Sequence, residues 1–287
     1  MPHIPTVPLM TPKTGTPVRS VTRSKPKKSL GQNFLVDSRV AKKIISAADI
    51  CSVDTVLEIG PGRGALTRHL AETCKRLVAI ELDSELASEL QGRFSNDPGV
   101  EIIHGDARDV SLDQFINAGE RYKLLANLPY YAANRIVRRF LTAERKPSIL
   151  VFMVQREVAR TMAAQPGDMG LLSVMIQLYG SVKVAFTVPP RAFRPAPKIT
   201  SAVVRIDVYD QPALDLISDE DFFDLVIAGF SAPRKQIKNS LRNGLKVTSE
   251  IAGVMLEAAG IDPKRRPETL SVAEWGDVYN QWRTVNP

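Results

Sequence analysis

The chain has 287 residues, 44% of them hydrophobic, which is enough to bury a full core and a second small domain. No apolar stretch approaches the ~20 residues needed to span a bilayer, so a membrane partner is excluded. Cys51 and Cys74 show no CxxC spacing and are too few for a disulfide framework. With histidines only at 3, 69 and 104, no metal site and no histidine-based acid/base chemistry is expected. Two buried thiols fit a reducing compartment, the cytoplasm. The formal charge of +7 is unevenly placed. Residues 1–28 hold Lys13, Arg19, Arg23, Lys25, Lys27 and Lys28 and no acid, whereas the rest carries 32 basic and 31 acidic residues.

That first stretch also contains six prolines and has no hydrophobic period, so residues 1–28 read as a disordered basic arm. An organellar transit peptide is the competing reading, and the prolines oppose the amphipathic helix such peptides form. A flexible arm would add sequence-independent attraction to phosphates.

From residue 29 to about 208, apolar runs near 55–59, 77–81, 100–104, 122–127, 148–154, 182–188 and 202–208 read as strands. Intervening helical stretches imply parallel neighbours for the first of them. The last two, joined by the Pro-rich segment 189–197, read as a hairpin. The fold class is therefore α/β, with a Rossmann-like sheet.

The strand ends carry the chemistry. Thr55-Val56-Leu57-Glu58-Ile59 runs into Gly60-Pro61-Gly62-Arg63-Gly64, where glycines let the backbone approach a ligand. Leu77-Val78-Ala79-Ile80 ends in Glu81, a carboxylate able to take both hydroxyls of a ribose. Val100-Glu101-Ile102-Ile103 leads to Gly105-Asp106, where an acid can accept from an adenine amine. A glycine loop with one acid also fits a dinucleotide. The G-x-G-x-G spacing and three successive polar strand ends suit S-adenosylmethionine better.

A fourth strand, Tyr122 to Ala126, closes on Asn127-Leu128-Pro129-Tyr130. Proline cannot continue a central strand, so the chain turns out of the sheet there. Asn127 Oδ1 and the Leu128 carbonyl can accept from an adenine amine while Tyr130 stacks on the ring. The alternative is a strand end with a Pro turn and a core tyrosine.

Beyond residue 208 the pattern is helical, and 209–287 read as a small all-helical C-terminal domain that contacts RNA. Residues 209–228 are acidic. Residues 233–246 then contain Arg234, Lys235, Lys238, Arg242 and Lys246 without an acid. Spacing of four along 234, 238, 242 and 246 predicts a basic helical face opposite Ile237, Leu241 and Leu245. A solvated helix has the same pattern.

Four segments in order, Leu30-Gly31-Gln32-Asn33-Phe34-Leu35, Glu58-Ile59-Gly60-Pro61-Gly62, Asn127-Leu128-Pro129-Tyr130 and Phe193-Arg194-Pro195-Ala196-Pro197-Lys198, resemble the ribosomal RNA adenine dimethyltransferases of the small-subunit branch. The resemblance covers about residues 27–270. It implies S-adenosylmethionine held by Asn33, Leu35, Gly60, Glu81, Asp106 and Asn127. It also implies a target adenine held at Asn127, Leu128 and Tyr130 with Phe193 as the opposite wall, although Phe193 also reads as a loop hydrophobe covering the core. The implied substrate is a pair of adjacent adenosines in the 3′-terminal hairpin loop of 16S rRNA, within the 30S subunit or its precursor, modified by a monomer.

Pro233 stands where the family tends to carry Arg, and Met169 where an aromatic usually precedes Gly170; both departures bear on RNA contacts. Two alternatives accompany this reading: a 23S rRNA dimethyltransferase of the macrolide-resistance type, and a 30S assembly factor with methylation secondary. A dehydrogenase is the weakest alternative, with no placed histidine to serve it.

Overall fold

Successive side chains on a strand point to opposite faces of the sheet, so a run buried on both faces needs helices on each side. The computed structural model of the protein, which describes residues 26–27, 31–127 and 130–285 (residues 130–132 by their backbone), meets that demand. In chain order the elements are β1 (Phe34–Leu35), α1 (Ser38–Ala47), β2 (Thr55–Ile59), α2 (Thr67–Ala71), β3 (Arg76–Glu81), α3 (Ser84–Phe94) and β4 (Val100–His104). There follow β5 (Tyr122–Ala126), α4 (Tyr130–Leu141), β6 (Ile149–Gln155), α5 (Arg156–Met162), α6 (Leu171–Gln177), β7 (Gly180–Val188), β8 (Phe193–Arg194) and β9 (Ser201–Val208). The C-terminal part is helical: α7 (Asp219–Gly229), α8 (Ile237–Leu245), α9 (Ser249–Ala258) and α10 (Val272–Val285).

Seven strands form one sheet in the order β4-β3-β2-β5-β6-β9-β7. The neighbours from β4 to β6 pair in parallel, as the intervening helices require, and β9 runs antiparallel to both β6 and β7. Alternation sorts the sheet residues between two cores. Leu57, Ile59, Leu124 and Phe152 face one cluster, while Val56, Leu125, Val151 and Met153 face another that includes Ile44 and Leu70. The first cluster runs on without a break into the helical part, through Phe222, Phe223, Trp275 and Tyr279. Across this junction the Tyr179 hydroxyl donates to the Asp219 carboxylate, and its ring lies 6.3 Å from that of Phe223.

Five expectations need correction. Cys51, read as a buried thiol, is exposed because it sits in the turn before β2, where its N–H donates to the Asp54 carboxylate at 2.7 Å. The segment between β7 and β9 is more than a hairpin loop, because its residues Phe193–Arg194 form β8 and pair antiparallel with β1, Leu35 opposite Phe193. The basic helical face is shorter than its spacing predicts. α8 begins at Ile237, so Arg234 and Lys235 lie in the preceding turn, and Lys246 is the left-handed C-cap at φ 57°. Met169 is buried in the core shared with the helical part, its N–H donating to the Glu268 carbonyl at 3.1 Å, so its role is packing rather than RNA contact. Lys27, assigned to a disordered arm, is anchored on Asp83 at 2.9 Å because that buried carboxylate needs a counter-charge.

Candidate active site

In an open parallel sheet, ligands bind beyond the carboxyl ends of the strands. Here four of those ends lie side by side: Asp106 after β4, Glu81 closing β3, Gly60 after β2 and Asn127 after β5. Neighbouring strands are ~4.8 Å apart, so the row spans roughly 14 Å, the reach of an extended nucleoside bearing an amino-acid chain. All four line one cavity. Asn33, Leu35 and Phe193 line it too, brought there by the β1–β8 pair. Leu128 and the side chain of Tyr130 lie outside the described residues.

The glycine loop is shaped by close approach. Gly60 has φ +68°, and a Cβ there would stand 3.3 Å from the Asn127 carbonyl oxygen. Gly62 has φ +59°, and its Cβ would press on the Phe34 ring at 3.2 Å. Both conformations are costly for any residue with a Cβ, so the loop's shape depends on glycine.

Glu81 is anchored by two backbone donors. Gly62 N–H donates to its Oε2 at 2.8 Å and Asp83 N–H to its Oε1 at 2.9 Å. Burial raises its pKa, partly offset by those two donors. Both oxygens are oriented and each keeps a lone pair for a hydroxyl.

Asp106 is held differently: Arg108 grips both carboxylate oxygens through Nε at 2.9 and 3.0 Å, and this pairing keeps its pKa below the usual carboxylate range. Asn127 makes no side-chain hydrogen bond to any described residue, so its amide is available to the cavity. Behind the row stands Glu58, fully buried on β2. Burial pushes its carboxyl up to about 8, with the neighbouring Glu81 charge adding to the rise, and its Oε2 has no hydrogen-bond partner.

The cavity combines apolar walls from Ile59, Ile80, Leu86, Ile136 and Met153 with carboxylates at Glu81 and Asp106. A flat base, a ribose and a cationic sulfonium match that mixture. No histidine lines it among the described residues.

A family model described as ribosomal RNA adenine dimethylase matches residues 23–283. The chain belongs to that family. Its relatives include the ribosomal RNA small subunit methyltransferase A of Dehalococcoides mccartyi, 43% identical over 249 residues, covering 87% of this chain and 86% of that one. The protein of the same name from Clostridium perfringens is 42% identical over 251 residues, covering 87% and 88%. Among solved structures, the 23S rRNA methyltransferase ErmE is similar with a TM-score of 0.69 and 26% identity, over 87% of this chain and 99% of that one. A dimethyladenosine transferase from Plasmodium falciparum shares the fold, with a TM-score of 0.76 at 23% identity, over 88% and 98%. As a member of the ribosomal RNA adenine dimethylase family, the chain is a methyltransferase that uses S-adenosylmethionine.

Sequence reasoning missed Arg108, which lines the cavity, and the Lys27–Asp83 pair, which adjoins Glu81 through the Asp83 N–H. Only Asp83 left a local signal, an Asp directly before a helix, where it caps α3 by accepting from Glu85 N–H at 3.1 Å.

Proposed function

We propose that this protein, a cytoplasmic monomer, transfers methyl groups to the N6 amines of two adjacent adenosines in the 3′-terminal hairpin loop of 16S rRNA, giving dimethyladenosines on the 30S subunit or its precursor. The observation that carries the reading is the row Asp106–Glu81–Gly60–Asn127 along one cavity, ending in an amide that makes no side-chain hydrogen bond to any described residue. The small-subunit name of relatives at 42–43% identity favours 16S over 23S rRNA.

In this reading Glu81 holds the ribose hydroxyls, Asp106 faces the adenine amine of the cofactor, and Asn33, Leu35 and Gly60 complete the cradle. S-Adenosylmethionine supplies an electrophilic methyl group when bound. The work left to the protein is mostly positional. Asn127 Oδ1 and the Leu128 carbonyl accept from the target amine, draw its lone pair out of conjugation with the ring and stabilise the positive charge that develops on nitrogen. A neutral amide does this without a fixed charge beside the sulfonium. Each transfer releases one amine proton to water, so no histidine base is needed. After the first methyl the amine keeps one N–H, and one acceptor loses its partner, at a cost of ~1–3 kcal/mol if it is dry. Tyr130 and Phe193 are assigned to the two faces of the extruded base.

The helical part, from residue 209 on, is assigned to RNA contact. Arg234, Lys235, Arg242 and Lys246 are exposed, and none of them is in an ion pair among the described residues. Incubating the protein with labelled S-adenosylmethionine and under-methylated 30S particles, then mapping the label, tests the proposal. Label on two adjacent adenosines near the 3′ end of 16S rRNA is expected. Label only on 23S rRNA offered in parallel, or 30S binding without transfer, would overturn it.

A further inference from the structure

The cavity wall formed by residues 31–35 comes from the start of the described chain, far in sequence from the sheet it leans on. A bond network holds it there. Lys27 Nζ meets Asp83 Oδ1 at 2.9 Å, and Gln32 Nε2 donates to Asp83 Oδ2 at 3.0 Å. Lys27 N–H donates to Gln32 Oε1 at 2.8 Å, closing a ring of three residues. The ring continues inward, because the Asp83 N–H that binds Glu81 Oε1 belongs to the same buried residue. From there Glu81 reaches the glycine loop through Gly62.

We propose that Lys27, Gln32 and Asp83 form a clasp that positions Glu81 and the 31–35 wall for the cofactor, with Lys27 as its positioning residue. The inference rests on the assignment of this cavity to S-adenosylmethionine.

Two consequences of the geometry support it. The Asp83 side chain is 1% exposed and lies two residues from Glu81, so two carboxylates share one turn. Lys27 supplies the compensating charge to Asp83, which leaves Glu81 free to act as an acceptor. The clasp also fixes Gln32 next to Asn33, Phe34 and Leu35, all of which line the cavity. A second fastening lies farther along the wall, where the Arg63 guanidinium stacks 4.4 Å over the Phe34 ring. Releasing Lys27 therefore loosens one end of the wall while the other stays held.

The test is calorimetric binding of S-adenosylhomocysteine to the full chain, to Lys27→Met, to Lys27→Arg and to the double variant Lys27→Met/Asp83→Asn. Asn keeps the α3 cap and removes the charge together with one of the two acceptor oxygens, so the clasp stays open. Lys27→Met is expected to weaken binding roughly tenfold, the scale of one charge-assisted bond, and to lower the melting temperature because it leaves the buried Asp83 carboxylate without its counter-charge, a loss that the double variant recovers. Lys27→Arg should keep most of the affinity, and the double variant should bind as weakly as Lys27→Met. In turnover the KM for S-adenosylmethionine should rise while kcat at saturation holds. Wild-type affinity in Lys27→Met, or affinity recovered together with melting temperature in the double variant, would overturn the clasp. Failure of the unmodified chain to bind S-adenosylhomocysteine would instead overturn the cavity assignment.

Discussion

A Cβ on Gly60 would stand 3.3 Å from the carbonyl oxygen of Asn127, so the glycine loop and the turn after β5 are fitted to each other. At φ +68° an alanine is also strained. Gly60→Ala is expected to lower stability by about 1–2 kcal/mol and to weaken S-adenosylhomocysteine binding, because the loop must move away from Asn127. A urea midpoint and a calorimetric affinity both at wild-type values would contradict the fit.

Glu81 gives a cleaner cofactor prediction, because both its oxygens are already oriented. Glu81→Ala should weaken S-adenosylmethionine binding by roughly 1–3 kcal/mol, the loss of charge-assisted bonds to the ribose. Calorimetry showing unchanged affinity would remove Glu81 from the site.

Glu58 predicts a pH dependence of stability. Its folded pKa is about 8 against an ordinary 4.5, so between those values the fold binds more protons than the unfolded chain. The stabilisation is complete below about 4.5 and fades as pH rises toward 8, by up to ~1.4 kcal/mol per pH unit. Glu58→Gln removes this slope. Urea midpoints from pH 5 to pH 9 should show the variant gaining on wild type as pH rises. Parallel profiles would mean that Glu58 is ionised in the fold.

Phe193 separates stacking from packing. It is 2% exposed and sits in the core beside Leu35 and Met153, yet it also lines the cavity. Phe193→Ala should therefore cost about 3–5 kcal/mol in stability, and its lost activity would say little. Phe193→Leu keeps most of the volume and removes the π-face. If the ring stacks on the target base, this variant keeps cofactor affinity and most of its stability but loses methyl transfer. Undiminished transfer in Phe193→Leu would return Phe193 to a packing role.

The legible part of this protein was local. Strands such as Thr55–Ile59 and Tyr122–Ala126 are short apolar runs that end in a glycine or an amide, and their order along the chain already implied parallel neighbours. Because parallel strands present the same end to the same edge, reading the one to three residues after each run gave Gly60, Glu81, Asp106 and Asn127 as one group. What stayed hidden depends on contacts between distant segments. Nothing near Phe193 announces that it will pair with Leu35, and a lysine in a Pro-rich basic stretch gives no sign of a buried aspartate waiting for it. Met169 misled because a lost aromatic reads as a lost contact surface, whereas the site is a core position that a flexible thioether can fill. The basic stripe misled because spacing of four persists through a turn as easily as through a helix.

The central claim is that the Asn127 amide holds the amine that receives the methyl group. Asn127→Ala, assayed for methyl transfer to under-methylated 30S particles at saturating S-adenosylmethionine, tests it most directly. By analogy with the removal of one transition-state hydrogen-bonding group, kcat should fall by about 10²–10³-fold, with melting temperature close to wild type since the side chain makes no hydrogen bond to any described residue. Wild-type kcat in that variant would contradict the account.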